Sequence, residues 1–334
     1  MSPRPSSLRL EVAAWIVSGL LLLLTLLLHL VPALLAGLLV YELVHVIAPR
    51  LRLGKRGKAA AVAILATAIV AVLSLALFGA VSFFRSDAGN VTALLQKMAE
   101  IIDGSRSHLP DWVLQYLPTD AEELRKALTD WMREHAGEVQ LLGKEAGRVT
   151  AHIIIGMIIG AMVSLREAHP SRSGAPLAHA LGERAKFLGD GFRRIVFAQV
   201  RIAAINTAFS AIYLAVVLPL LGIHLPFAKT LIVITFLAGL LPVIGNLISN
   251  TAVVVVSLSA SLVVALASLV FLIVIHKLEY FLNARIVGSQ IRASAWEMLL
   301  AMLLMESAFG LAGLVAAPVY YAYLKEELIA RGLI

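Results

Sequence analysis

The chain has 334 residues, 60% of them hydrophobic and 15% charged, with a mean hydropathy of +0.90, a formal net charge of +7 and no cysteine. A soluble domain carries about 45–50% apolar and about 25% charged residues, so the composition is that of a membrane protein. The missing cysteines exclude disulfides, iron–sulfur clusters and thiolate zinc sites. The positive charge does not point to nucleic acid, because Lys and Arg gather beside the ends of apolar blocks, the pattern that sets topology in a bilayer.

Residues 12–48 hold no Asp, Glu, Lys or Arg except Glu42, and they are too many for one crossing. Pro32 and Gly37 interrupt them, so two short helices joined near His29 to Pro32 are expected. This block is too long for the core of a cleavable signal and reads as retained. Arg50, Arg52, Lys55, Arg56 and Lys58 then form the strongest cytoplasmic marker, which places the N-terminus inside as well. A third helix over residues 59–84 delivers Arg85 to the outer side.

Residues 85–148 are the one extended polar segment, with eleven acidic and eight basic side chains, and are expected outside the cytoplasm. Leu94, Leu95, Met98, Ile101 and Ile102 form one helical stripe. Thr119, Asp120, Ala121 and Glu122 read as a capping box opening a second helix, whose stripe is Leu124, Leu128, Trp131 and Met132. These amphipathic helices lie on the membrane surface or pack on the protein.

A fourth helix over residues 149–165 puts His152, Gly156, Gly160 and Ser164 four residues apart, on one face that another helix could approach closely. Residues 166–194 carry six basic and three acidic side chains around a Pro/Ser/Gly stretch and are expected to be a cytoplasmic loop. A fifth helix then starts near Ile195 and ends at Pro219.

Two later blocks contain breaks. Pro242, Gly245 and Asn246 lie inside an apolar run and are followed by Ser249, Asn250 and Thr251. Gly310 and Gly313, with Pro318 beyond, interrupt the last block. Polar groups and broken backbone persist at membrane depth only where protein or water covers them, and such breaks hold substrate in many transporters. The competing reading is an ordinary kinked helix. If each block is instead a hairpin, its arms are too short to cross about 30 Å of hydrocarbon. Between the breaks, His276, Lys277, Glu279, Asn283 and Arg285 end an apolar run. Glu279 has Lys277 and Arg285 near it in sequence, so structural ion pairing that orients a turn at Gly288 is as good a reading as a substrate site. Glu306 has no charge close in sequence and is the better candidate for a protonatable group.

These residues resemble the autoinducer-2 exporter-like family of bacterial permeases over essentially the whole chain. The family's proline-aromatic-isoleucine-glycine-proline signature is similar to Pro242, Val243, Ile244, Gly245 and Asn246. Its acidic-x-x-x-leucine run ending in glycine resembles Glu279 to Gly288, and its glycine-x-x-glycine with a later proline resembles Gly310, Gly313 and Pro318. Val243 and Asn246 depart from that pattern, as do Asn283, Ala284 and Arg285, which lack the family's proline. The leucine-histidine-proline that precedes the family's last segment is missing near Ala293.

The resemblance implies an all-α polytopic protein of the bacterial inner membrane, with about eight hydrophobic segments, two of them broken or re-entrant, and both termini cytoplasmic. The expected organisation is three helices (residues 1–84), an outer amphipathic segment (85–148) and a membrane core (149–334) broken at 242–246 and 310–313. The implied function is transport, either efflux of a small polar solute such as a signalling molecule or exchange of sodium or lithium for protons. The expected path residues are Pro242, Gly245, Asn246, Asn250, Gly310 and Gly313, with Asn206 and Gln199 as further donors and acceptors. Glu306 and Glu279 are the candidates for ion or proton coupling, and Lys277 and Arg285 for ion pairing. No cofactor, metal or nucleic-acid partner is expected, and the partners are lipid, solute or cation, and further copies of the chain. A non-transporting scaffold fits the apolar blocks but leaves the polar breaks without a purpose. An enzyme is not expected, since neither His-Glu-x-x-His nor Gly-x-Ser-x-Gly occurs.

Overall fold

The computed structural model describes residues 5–85, 121–166, 176–240, 244–258, 260–291 and 293–334 as helices and the short connections between them, with no strand among the described residues. They fall into two compact units, one of residues 1–71, 144–198 and 287–334, the other of residues 72–143 and 199–286. Among the described residues, five helices are long and apolar enough to cross a bilayer, and four further apolar helices have 10–17 residues. Large apolar side chains stay exposed in rows, such as Leu20, Leu21, Leu24 and Leu28, or Ile154, Ile155, Ile158 and Ile159. Water would penalise such faces, whereas lipid does not. The protein is therefore an all-α, multi-pass membrane protein.

In the first unit, α1 (Pro5–Leu27) and α2 (Val31–Ile47) are separated at the expected place. His29 takes φ 56° and the Leu30 amide bonds back to the Thr25 carbonyl at 2.8 Å, closing the end of α1, while Pro32 fits the first turn of α2, where no amide is needed. The glycine face of α5 (Ala136–Arg166) meets α2. A Cβ on Gly156 would lie 2.0 Å from the Ala33 carbonyl oxygen, and one on Gly160 2.1 Å from that of Gly37. The two backbones touch, which only glycine permits here. Ser164 on the same face is fully buried and donates to the Gly160 carbonyl at 2.9 Å.

Two helix starts differ from the sequence reading. The fourth membrane segment begins at Ala136 rather than near residue 149, continuous with the end of the polar segment. The fifth belongs to α6 (Pro176–Ile212), which takes in most of what the sequence suggested was a cytoplasmic loop. Its charged residues hid a buried stripe of Ala180, Arg184, Phe192, Ile195 and Ala198 at helical spacing. The helices α3 (Gly57–Arg85) and α4 (Ala121–Glu134) lie before α5 in the chain. Residues 86–120, with the first amphipathic stripe and Thr119, lie outside the described residues.

The last helix, α10 (Ala295–Ala330), folds back on itself at Gly310, whose φ of 61° and ψ of −146° are not helical. Glu297 and Lys325 are 28 residues apart, about 42 Å along a straight helix, yet their side chains meet at 2.7 Å. Two antiparallel arms result. Gly313 lies where they converge, since a Cβ there would come 2.0 Å from the Met305 carbonyl oxygen.

The second unit receives the end of α6, which widens into a π turn (Tyr213–Val217) just before Pro219, a residue with no amide to donate. A second helical hairpin follows, α7 (Ala228–Gly239) and α8 (Ile244–Leu258). A Cβ on Gly245 would lie 1.8 Å from the Ala238 carbonyl oxygen, so the arms are in contact at the fold. At about 18 and about 22 Å, neither arm spans a membrane core of about 30 Å. The helix α9 (Leu262–Ile291) runs on through Gly288, where the sequence suggested a turn. Tyr213, Leu214, Leu231, Val253, Val264 and Leu272 form the unit's core.

Candidate transport site

Within the second unit, α6 and the first residue of the π turn that continues it present Gln199, Asn206 and Tyr213 seven residues apart, about two turns each, and therefore on one face. Each meets a polar partner. Gln199 Nε2 donates to the Gly239 carbonyl at 2.7 Å, supplying a donor to the end of α7, where helical carbonyls have none. Asn206 Nδ2 donates to Asn246 Oδ1 at 3.3 Å, and Asn246 Nδ2 donates to His276 Nδ1 at 3.4 Å. The Tyr213 hydroxyl lies 3.0 Å from Ser268 Oγ, which lies 2.8 Å from Ser257 Oγ. The result is a stack of three polar tiers, about 10 Å apart along α6.

The tiers differ in access. Tyr213, Ser257 and Ser268 are buried, and the tyrosine ring stacks on Phe271 at 4.0 Å, so that tier joins helices. In the middle tier Asn246 and His276 are half-buried and Asn206 is 8% exposed. Two carboxamides and an imidazole offer both donors and acceptors there without a fixed charge. Desolvating such groups in a bilayer costs several kcal/mol unless they are paired, so their concentration in one seam calls for an explanation beyond packing. Ser249, on the α8 face below Asn246, is buried and donates to the Asn246 carbonyl at 3.4 Å.

The first unit holds a cluster of another kind. Arg184 and Glu327 are both buried, with Nε and Oε1 3.1 Å apart, and Arg184 Nη1 also donates to the Ala180 carbonyl at 2.9 Å. The Trp15 indole donates to Glu327, and Arg331 lies over the Trp15 ring while bonding Glu11. Arg194 pairs with Glu326, and Glu297 takes bonds from Lys325 and Tyr321. These contacts tie α1, α6 and the second arm of α10 together, and the two arms of α10 to each other.

A family model described as AI-2E family transporter matches residues 10–330. The chain belongs to the AI-2E transporter family. Neither the comparison with curated proteins nor that with solved structures returns a match.

In this AI-2E family transporter the path residues expected from sequence occupy two units. Gly245 and Asn246 are in the second, Gly245 buried in the hairpin contact and Asn246 in the middle tier. Asn250 is half-buried one turn further along α8, and among the described residues it makes no hydrogen bond to the stack. Gly310 and Gly313 are in the first unit, at the fold of α10. Pro242 lies outside the described residues, as do the side chains of Glu279 and Arg285, and Lys277 is exposed. Glu306 is exposed on the first arm of α10, four residues before the fold.

Two groups escaped the sequence reading. Ser257, next to the last residue of α8, is buried against Ser268. Arg184 and Glu327 were hidden among ordinary loop and C-terminal charges, although Arg184 falls on the stripe obtained by extending the buried positions of α6 backwards.

Proposed function

We propose that this transporter exports a small, polar, uncharged organic solute through the bacterial inner membrane, with both termini in the cytoplasm. The observation that carries this reading is the middle tier of the second unit, Asn206, Asn246 and His276. Carboxamides that both donate and accept suit hydroxyl groups of a polyhydroxylated solute, and among the described residues no carboxylate stands in the tier to hold a cation. Pro242, Gly245 and Asn250 are proposed to line the same path, and Gly310 and Gly313 to allow the fold of α10 to move. The test is efflux from liposomes containing the purified protein, run against a panel of neutral polyhydroxylated solutes and monovalent cations. Release of one or more solutes, with no cation flux, is the expected result. Cation flux alone would overturn it.

One observation favours exchange of sodium or lithium for protons as the second reading. Glu306 is an exposed carboxylate on an apolar arm, and no ion pair reaches it among the described residues. Under that reading Glu306→Gln leaves the fold stable and abolishes pH-driven cation uptake. Glu279 is proposed as structural, held by Lys277 or Arg285. Homo-oligomeric assembly is likewise proposed, and native mass spectrometry from detergent would give the copy number.

A further inference from the structure

The connection between α2 and α3, in the first unit, is short, anchored and strongly basic. Two tight helical turns (Ala48–Leu51 and Gly54–Arg56) make it, joined through Arg52, whose φ is 52°. A Cβ on Gly57 would lie 3.0 Å from the Ala48 carbonyl oxygen, so the start of α3 is pressed against the end of α2. Ala48 and Leu51 pack inward on Val40, Val44 and Ala61. The side chains that leave this turn therefore leave from a fixed base.

Five of residues 50–58 are basic and none is acidic. Arg50 has a local task, since its Nη1 donates to the Val46 carbonyl at 2.5 Å and so caps the end of α2. Lys58 is engaged within the protein, and the side chain of Lys55 lies outside the described residues. Arg52 and Arg56 remain. Both are exposed, and among the described residues neither side chain makes a hydrogen bond or ion pair. Leu53 stands between them and is 53% exposed, although Leu51 is packed. Eight residues beyond Arg56, about 12 Å along α3, Ile64 is 47% exposed on the apolar surface. The positive-inside tendency explains which side such charges reach, but not an exposed leucine set between two unanswered arginines.

We propose that this turn binds anionic phospholipid, with Arg52 and Arg56 on the headgroup phosphate and Leu53 among the first acyl carbons. A guanidinium presents paired donors that match phosphate oxygens, and an anionic lipid surface attracts each such charge. A zwitterionic lipid offers the same phosphate but adds an ammonium that the arginines repel. Free phosphate would answer the arginines and leave Leu53 in water. The inference stands apart from the solute reading, because it uses no residue of the polar stack.

The test is native mass spectrometry of the full-length protein in detergent, with phosphatidylglycerol or phosphatidylcholine of the same acyl chains. Both lipids cover the apolar belt, so the difference in their retention isolates the headgroup. The parent should hold phosphatidylglycerol more tightly. Arg52→Gln with Arg56→Gln should weaken that binding at least about tenfold and leave phosphatidylcholine unchanged. Neither arginine has a partner to lose, so the melting temperature in detergent should not move. Arg133→Gln with Arg148→Gln removes the same charge from α4 and α5 and should leave the preference intact. Glycerol phosphate, which lacks the chains, should not displace the lipid at equal concentration. Equal retention of the two lipids by the parent, or of phosphatidylglycerol by the parent and the turn variant, overturns the site. An equal loss in the α4 and α5 variant would make the effect one of overall charge, and displacement by glycerol phosphate one of a soluble anion. Either result also overturns it.

Discussion

Arg184 and Glu327 show how burial decides the role of a charged residue. The two side chains are 1% and 8% exposed, so their pairing is not a solvated surface bridge. Removing Glu327 leaves the buried guanidinium only the half-exposed Glu183 carboxylate, 3.3 Å from Nη1, so the cost approaches but stays below the about 3–5 kcal/mol of a buried charge left wholly unmatched. Glu327→Ala should therefore lower the melting temperature sharply, and Arg184→Met combined with Glu327→Leu should recover much of the loss. If the double variant melts no higher than the single, the pair is not the source of the cost. Asn206, Asn246 and Gln199 were legible from sequence because each is a polar residue inside an apolar run. What the sequence could not supply was which of them meet, since that depends on helix packing over forty positions. His276 was visible only as one member of a charged cluster, and Asn250, equally polar, stays out of the stack.

At the scale of the element, Gly and Pro marked both folded blocks but misled at Gly288, through which α9 continues, and the polar–apolar boundary misplaced helix starts. The fold between α7 and α8 falls where the chain carries Pro242, and that of α10 falls at Gly310, whose positive φ suits glycine. The starts of α5 and α6 were misplaced because a reading of apolar runs finds the part of a helix that lipid covers, not where the helix begins. The close approach of α2 and α5 was legible from the four-residue spacing of Gly156 and Gly160. Two substitutions follow. Gly310→Ala places a side chain in a backbone region that essentially only glycine occupies, at a cost of about 1–3 kcal/mol, which thermal unfolding would register. Gly156→Val must push α2 and α5 apart and should lower stability further, since its Cβ alone would overlap the Ala33 carbonyl. A Gly156→Val protein that melts like the parent would contradict the direct backbone contact.

For the whole molecule, composition settled the class and the family match supports the transport role, while topology and substrate depend on chemistry that no single residue announces. If both folded blocks are hairpins that enter and leave on one side, Arg285 and Arg292 face the cytoplasm, as the positive-inside tendency favours. Ser294 is exposed just before α10, and the chain contains no other thiol. Ser294→Cys should react with an impermeant maleimide only after the cells are opened. Labelling of intact cells would place that connection outside.

The most direct measurement compares efflux of neutral polyhydroxylated solutes from liposomes containing the parent protein or Asn246→Leu, at equal protein content and with melting temperatures recorded. Leucine at 246 keeps a side chain of similar size but removes both hydrogen-bonding ends of the middle tier. The parent should release solute, and the folded Asn246→Leu protein should release it at least about tenfold more slowly, the scale of about 1.4 kcal/mol lost from one or two hydrogen bonds. Equal rates from the two proteins would make the asparagine a helix-turn residue and remove the polar stack from the transport path.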